Sequence, residues 1–210
     1  MPRTESLTFA YRLAMAACTP PVKWWGRLEV EGLEHLPLDG PLLLAGNHDS
    51  YWDPVAIGIA GLPRRQIRAL AKAELWKTPG LAPILNGMGQ IPVERGKGDT
   101  HAMDRALEQL RGGACIGIFP EGTRSQGKEL RARAGFGRLA AAVPEAAIRA
   151  CTVVGTTDIP HFPRDRPRVK VRFFVPEADP ADTEDLPAAL LQEIRAEAPR
   201  VKAGRRRPKA

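Results

Sequence analysis

Short apolar runs alternate with amphipathic segments along the chain, and this order predicts one layered α/β domain. Buried strands are predicted where apolar runs are bounded by turn residues, at 41–45, 66–71, 115–119 and 148–154. Helices are predicted at 99–110, 136–143 and 186–194, the first and last from apolar residues three or four positions apart. Because strands and helices alternate, we expect a single α/β domain with a mostly parallel central sheet flanked by helices.

Two segments alternate charged and apolar residues, which predicts strands with one solvated face. Residues 27–31 have the pattern of an edge strand, and residues 169–175 that of a half-buried strand. The sheet is therefore expected to carry further strands outside its apolar centre.

The N-terminal segment predicts an apolar helix. Residues 4–18 contain few charges, Pro20 and Pro21 end the helix, and Trp24 and Trp25 follow at once. Adjacent tryptophans suit a membrane interface, where the ring is buried and the N–H stays hydrated. A helix packed on the domain, with the tryptophans covering its edge, explains the pattern equally well. No stretch reaches the roughly 20 apolar residues that span a bilayer.

Composition narrows the class of partner. The chain has 210 residues, of which 43% are hydrophobic and 26% charged, which suits one compact globular domain. Its net charge of +7 favours an anionic partner: a nucleic acid, a phosphorylated substrate or an acidic lipid surface. Nucleic acid is the weakest of the three, because the few aromatic residues are not interleaved with basic ones. Three scattered cysteines favour neither a disulfide framework nor a zinc site, and they fit a cytosolic setting.

Residues 46–54 carry the first candidate for chemistry. They follow a predicted buried strand and lead into an apolar helix, with Ser50 and Asp53 in a capping-box pattern and Pro54 in the first turn. A sharp turn of this kind can fold the Asp53 carboxylate back onto His48. The carboxylate would then fix the imidazole tautomer, and the free ring nitrogen would remove a proton from a hydroxyl nucleophile. Local backbone capping by both residues is the alternative.

Two further motifs follow downstream. Residues 89–95 read GQIPVER and residues 119–125 read FPEGTRS. Together with NHDSYWD at 47–53, they resemble the glycerolipid acyltransferases of the lysophosphatidic acid acyltransferase family, which are marked by NHxxxxD, GxI(P/F)(V/I)xR and FPEGTRS in this order. The resemblance runs from residue 32 to residue 155, which is most of the chain.

The resemblance implies a reaction and a set of residue roles. It implies an O-acyltransferase that moves a fatty acyl group from acyl-CoA or acyl-carrier protein to the free hydroxyl of 1-acylglycerol-3-phosphate, giving phosphatidic acid. The acceptor hydroxyl attacks the thioester directly, so no metal or bound cofactor is expected. The implied catalytic residues are His48 and Asp53. The implied substrate-binding residues are Arg95, Glu121, Gly122, Thr123 and Arg124, with the guanidinium groups gripping the phosphate.

Several roles stay open at this point. Glu121 can bond an acceptor hydroxyl or hold Arg124 in place, and backbone N–H groups after His48 are candidate oxyanion donors. The family usually has a proline-bearing strand of the VPVVPV type, whereas this chain has Ala150 near the expected proline and an unexpected Arg149. This departure affects the acceptor and the shape of the acyl pocket rather than the chemistry. Apolar residues between the first two motifs either line an acyl groove or pack in the core: Leu75, Trp76, Leu81, Ile84, Leu85 and Met88.

We therefore expect a helical membrane-association segment at 1–26, an acyltransferase domain at 27–199 and a basic, disordered tail at 200–210. The expected location is peripheral, on the cytoplasmic face of a membrane. The expected partners are acyl-CoA or acyl-carrier protein, a lysophospholipid acceptor and an anionic membrane surface, with no nucleic acid.

Three alternatives accompany this interpretation. The same chemistry can act on another lysolipid, including an amino-acid-derived one, or the chain can be a non-catalytic module that binds anionic membranes. A metal-dependent hydrolase using His48, Asp49 and Asp53 is a weaker alternative, because no second His/Asp cluster in the sequence completes a site.

Overall fold

The central sheet has seven strands in the part of the chain that the structure describes. This computed structural model describes residues 7–94, 99–161, 166–181 and 183–201. The strands are β1 (Glu29–Glu31), β2 (Leu42–Gly46), β3 (Ile67–Lys72), β4 (Ile91–Val93), β5 (Cys115–Ile118), β6 (Ala147–Val154) and β7 (Lys170–Phe174). The α-helices are α1 (Phe9–Thr19), α2 (Asp53–Gly61), α3 (Leu81–Gly87), α4 (Thr100–Arg111), α5 (Gly135–Ala142) and α6 (Leu186–Glu197).

The strand order is β1-β7-β6-β2-β5-β3-β4, and every neighbouring pair is parallel except β6 and β7. This confirms the predicted α/β fold with a mostly parallel sheet. Strand β2 is buried along its whole length, as its uninterrupted apolar run requires. Because β2, β5 and β6 run in the same direction, the segments that follow them meet at one edge of the sheet. That edge, which we call the carboxyl edge, holds the first and third sequence motifs.

Helices cover both faces of the sheet. Leu42 and Leu44 of β2 pack in one apolar cluster with residues of α1 and α2, whereas Leu43 and Ala45 pack in a second cluster with residues of α4, α5 and α6. Successive side chains of a strand point to opposite faces, so the two clusters are the two halves of the core.

The N-terminal helix packs on the domain and also keeps an exposed apolar face. Tyr11 and Met15 of α1 are buried in the core, while Phe9 and Leu13 are 80% and 60% exposed. The prediction that the two prolines end the helical segment is wrong. Residues Pro20–Trp25 continue from α1 as a π-helix with proline in its first turn. None of the helices in the described ranges has the length and apolarity needed to cross a membrane.

The remaining predicted elements lie close to their observed positions. The segment between β3 and β4 forms a 3-10 helix (Ala73–Lys77) and α3. Strand β1, which was expected at an edge, is the terminal strand of the sheet. Of the basic tail, residues 202–210 lie outside the described residues.

Candidate active site

The turn between β2 and α2 brings His48 and Asp53 together at the carboxyl edge. The His48 Nδ1 atom lies 3.1 Å from Asp53 Oδ2, and the two residues are 6% and 0% exposed. The same oxygen accepts the N–H groups of Asp49 (2.6 Å) and Ser50 (2.7 Å), while the Thr156 hydroxyl donates to Asp53 Oδ1. Because the Asp53 carboxylate acts as an acceptor for these partners, the neutral His48 tautomer that fits this contact carries its proton on Nδ1 and leaves Nε2 as the acceptor nitrogen.

The backbone N–H groups of this turn are already used within the protein. His48 N–H donates to Glu121 Oε2 (2.9 Å), and Trp52 N–H donates to the Ser50 hydroxyl (3.2 Å). The N–H groups of Asp49 and Ser50 are held by Asp53. The suggestion that N–H groups after His48 supply the oxyanion donors is therefore wrong for these three positions, 49, 50 and 52.

The turn after β5 holds His48 from the other side. The Phe119 ring stacks on the imidazole at a centroid distance of 4.2 Å and an interplanar angle of 12°. Ser125 N–H donates to the His48 carbonyl (2.7 Å), and Glu121 accepts the His48 N–H. A positive φ of 69° at Gly122 lets the chain turn sharply enough to make both contacts. The first and third motifs therefore form one hydrogen-bonded unit.

Glu121 is buried against an arginine that sequence reasoning missed. Arg195 of α6 donates from Nη2 to both Glu121 oxygens (2.7 Å each) and from Nε to Oε1 (3.1 Å). It also donates from Nη1 and Nη2 to Asp49 Oδ2 and Oδ1, at 2.8 and 3.0 Å. Burial raises the pKa of Glu121, and the Arg195 charge opposes this shift. Burial also disfavours the Arg195 charge, but the hydrogen bonds and charges of Asp49 and Glu121 outweigh it and raise the pKa of the guanidinium.

One signal in the sequence points to Arg195. It lies four residues after Leu191 and eight after Pro187, so it shares the buried face of α6 with both. An arginine on an otherwise apolar helix face requires an acidic partner inside the protein. That signal predicts a buried carboxylate but not which one.

The open part of the third motif lies at the surface. Arg124 Nη2 donates to the Tyr51 hydroxyl (2.9 Å), and the guanidinium carbon lies 3.6 Å from the centroid of the Tyr51 ring. Tyr51 is 73% exposed, and sequence reasoning gave it no role. The side chain of Arg133 passes beside Gly122, since a Cβ there would lie 3.0 Å from Arg133 Cγ. Arg95, the remaining predicted binding residue, lies outside the described residues.

A cavity of about 690 Å³ extends from His48 into the space between α1, α2 and β3, within the size range of about 300–1,000 Å³ typical of ligand sites. Thr123, Arg124 and Tyr51 line this same cavity. Leu75, Leu85 and Met88 line it too, whereas Trp76, Leu81 and Ile84 are not among its lining residues. Its deeper walls are mostly apolar: Tyr11, Met15, Leu44, Ile57, Ile67 and Cys151.

Arg149, the unexpected residue of β6, is not among the residues that line the cavity and bonds backbone carbonyl groups instead. Its Nε donates to the His35 carbonyl and its Nη1 to the Ile148 carbonyl, each at 2.7 Å. Ala150, near the position where the family usually has proline, is buried and pairs with Ala45 of β2. Within the described ranges, no group of three or more His, Cys, Asp or Glu side chains is placed to hold a metal ion.

Comparisons with known proteins give consistent results. The model of the family described as Acyltransferase matches residues 27–162. The 1-acyl-sn-glycerol-3-phosphate acyltransferase of Bacillus subtilis is 31% identical over 100 residues, which are 48% of this chain and 50% of that protein. The lyso-ornithine lipid O-acyltransferase of Pseudomonas aeruginosa is 34% identical over 109 residues, which are 51% of this chain and 40% of that protein.

The crystal structure of the 1-acyl-sn-glycerophosphate (LPA) acyltransferase PlsC from Thermotoga maritima superposes with a TM-score of 0.62. The match covers 89% of this chain and 81% of that one at 21% sequence identity, so it shows the fold alone. The chain spans half or less of the length of the two curated relatives described above.

Proposed function

The chain belongs to the acyltransferase family, and from this premise we propose that it moves a fatty acyl group from a thioester carrier to the free hydroxyl of 1-acylglycerol-3-phosphate, giving phosphatidic acid. One observation carries the proposal: His48, which contacts Asp53, and Arg124 line the same mostly apolar cavity. An oriented base, an apolar cavity for the acyl chain and a guanidinium for the phosphate together suit acyl transfer to a phosphorylated alcohol. The name of the Bacillus subtilis relative supports the same acceptor.

The proposed reaction needs no nucleophile from the protein. The acceptor hydroxyl attacks the thioester carbonyl while His48 Nε2 removes its proton. The new C–O bond forms, the C–S bond breaks, and the departing thiolate takes up the proton from His48. Asp53 keeps the Nδ1 proton in place and stabilises the imidazolium that forms between the two steps.

The proposed binding residues divide by exposure. Thr123 and Arg124 line the cavity, so we assign them to the acceptor, with Arg124 on its phosphate and Gly122 allowing close approach. Arg95 is assigned to the phosphate from its motif alone. Glu121 is 1% exposed and saturated by protein donors, so we assign it to holding the site together rather than to direct contact with the acceptor. The donor is acyl-CoA or acyl-carrier protein.

We also propose that the protein is peripheral, on the cytoplasmic face of a membrane, and docks on an anionic lipid surface. The exposed faces of Phe9, Leu13 and Trp24 supply apolar side chains suited to the interface. The net charge of +7 adds attraction to anionic headgroups. A membrane location gives the cavity direct access to a lipid acceptor.

A second acceptor is supported by the relative from Pseudomonas aeruginosa, which is named for a lyso-ornithine lipid. An acceptor whose head group is an amino acid rather than a phosphate would use the same base and the same cavity. It would not depend on Arg124 as a phosphate ligand, which separates the two candidates experimentally.

The test is an acyl-transfer assay with acyl-CoA or acyl-carrier protein as donor, each acceptor in turn, and the product identified by mass. We expect phosphatidic acid from 1-acylglycerol-3-phosphate, and we expect His48→Ala to lower kcat by about 100-fold to 10,000-fold, the usual contribution of a general base. His101→Ala, on the surface of α4, is the matched control and should leave kcat unchanged. Transfer that survives His48→Ala would remove His48 as the base.

A further inference from the structure

Helix α6 reaches the catalytic turn although it lies beyond the segment that matches the family. The match ends at residue 162, whereas α6 spans Leu186–Glu197. Arg195, in the last turn of this helix, makes five side-chain hydrogen bonds to Asp49 and Glu121. Asp49 is adjacent to His48 in sequence, and Glu121 bonds the His48 backbone. A residue outside the motifs therefore contacts two residues, Asp49 and Glu121, that lie next to the base or hydrogen-bond to it.

The path from Arg195 to the base is short. Glu121 accepts the His48 N–H with Oε2 and receives Arg195 on both oxygens. Asp49 receives Arg195 on both oxygens, and the Ser125 hydroxyl donates to Asp49 Oδ1. Ser125 in turn holds the His48 carbonyl through its own N–H (2.7 Å). The His48 N–H is thus held by Glu121, which bonds Arg195 directly. The His48 carbonyl is held by Ser125, which bonds Asp49, the other partner of Arg195.

The charges make Arg195 hard to replace. The side chains of Arg195, Asp49 and Glu121 are only 4%, 7% and 0% exposed, so one guanidinium faces two carboxylates away from water. Without it, the Asp49 and Glu121 carboxylates would be buried side by side with like charges. Each would then reorient toward another hydrogen-bond donor or become protonated. A lysine would keep the charge but lose the planar fork that contacts both carboxylates at once.

We propose that Arg195 is a positioning residue for His48: it clamps Asp49 and Glu121 and thereby fixes the backbone on which the base is carried. The inference rests on the proposed acyl transfer for its kinetic consequence, because that reaction uses His48 as the base. Since the clamp acts on the base and does not line the cavity, it affects the chemical step and leaves acceptor binding unchanged.

The experiment compares Arg195→Lys and Arg195→Met with the double variant Arg195→Met, Glu121→Gln. We expect Arg195→Met to lower kcat by about 100-fold, the cost of a catalytic group misplaced by about 1 Å, with the acceptor KM unchanged. Arg195→Lys should fall between wild type and Arg195→Met. The double variant should recover part of the lost kcat, because it removes one of the two buried charges that Arg195 neutralised.

The matched control is Glu197→Gln on the same helix. Glu197 pairs with Arg172 at the surface, where their side chains are 39% and 44% exposed, so its loss should leave kcat unchanged. Where Arg195→Met fails to fold, Arg195→Lys and the double variant are each compared with wild type, and both should have a lower kcat. A kcat per folded molecule equal to wild type in any folded Arg195 variant would overturn the proposal.

A second readout needs no substrate. The imidazole ¹⁵N signals of His48, assigned with His48→Gln, report its tautomer, which should be a single Nδ1-protonated form in wild type and in Glu197→Gln. We expect broadened or averaged signals in Arg195→Met, and unchanged signals there would count against the clamp. A wild-type protein with no transfer activity would reject the proposed function, while the ¹⁵N spectra would still test the positioning of His48.

Discussion

The two turns at the carboxyl edge differ in how many of their side chains are buried and hydrogen-bonded within the protein. The turn after β2 is closed apart from Tyr51: His48, Asp49, Ser50 and Asp53 are buried and hydrogen-bonded to one another or to neighbouring protein groups, although His48 also lines the cavity. We call these four buried residues the closed turn. The turn after β5 is mixed. Its Glu121 and Ser125 face inward onto the first turn, whereas Thr123 and Arg124 face the cavity.

This difference suggests two separate roles, orienting His48 and binding the substrate, which the sequence motifs alone do not distinguish. Under the proposed function, residues of the closed turn hold His48 in a fixed orientation as the base, which requires satisfied hydrogen bonds and exclusion of water. Under the same proposal, Thr123 and Arg124 of the open part present their side chains to the cavity in which the substrate binds. Under the proposed function, changes in the closed turn should alter kcat, and changes in the open part should alter the acceptor KM.

The largest expected effect in the open part comes from Arg124→Ala. Loss of a charged hydrogen bond to phosphate costs about 1.5–3 kcal/mol, so the KM for 1-acylglycerol-3-phosphate should rise by about 10-fold to 100-fold with little change in kcat. Steady-state kinetics at varied acceptor concentration measures this split. Arg138→Ala, an exposed arginine of α5, is the control and should match wild type. A fall in kcat without a rise in KM would mean that Arg124 acts in the chemical step, as the closed turn is expected to. That result would contradict the proposed division of roles between the two turns.

A smaller effect on the opposite parameter is expected from Thr156→Val. The Thr156 hydroxyl donates to Asp53 Oδ1, and its loss removes one of the contacts that orient the Asp53 carboxylate. We expect kcat to fall by about 10-fold, in line with a charged hydrogen bond of roughly 1.5 kcal/mol, with the acceptor KM unchanged. Thr157→Val changes the next residue, whose hydroxyl bonds Asp158 instead (3.3 Å). Equal losses in the two variants would show a general packing effect rather than an effect on Asp53.

The smallest effect should come from Tyr51→Phe, which links the two turns. The variant keeps the aromatic ring beside Arg124 but removes the hydroxyl that accepts its hydrogen bond. We expect the acceptor KM to rise by about twofold to threefold, since an exposed hydrogen bond contributes about 0.5 kcal/mol. Tyr51→Ala, which removes the ring as well, should raise the KM further. A lower KM in Tyr51→Phe would mean that Tyr51 competes with the phosphate for Arg124.

Much of this arrangement was predictable from local patterns. The apolar run of β2, the turn residues after it and the five-residue spacing from His48 to Asp53 predicted a strand, a sharp turn and a His–Asp contact, all of which the structure contains. The N-terminal helix shows the limit of such patterns. The packed-helix interpretation holds for Tyr11 and Met15, which are buried, whereas Phe9 and Leu13 stay exposed and the membrane-interface interpretation stays a prediction.

By itself, the sequence determined the alternation of strands and helices, the order of the three motifs and the contact between His48 and Asp53. Each of these depends on neighbours within a few residues, through side-chain periodicity, turn chemistry and spacing. Only the tertiary structure decided that Glu121 faces inward, that Arg195 joins it from 74 positions away, and that Tyr51 meets Arg124 across 73 positions. Contacts at such separations depend on which strands become neighbours in the sheet, and no local pattern along the chain specifies that order.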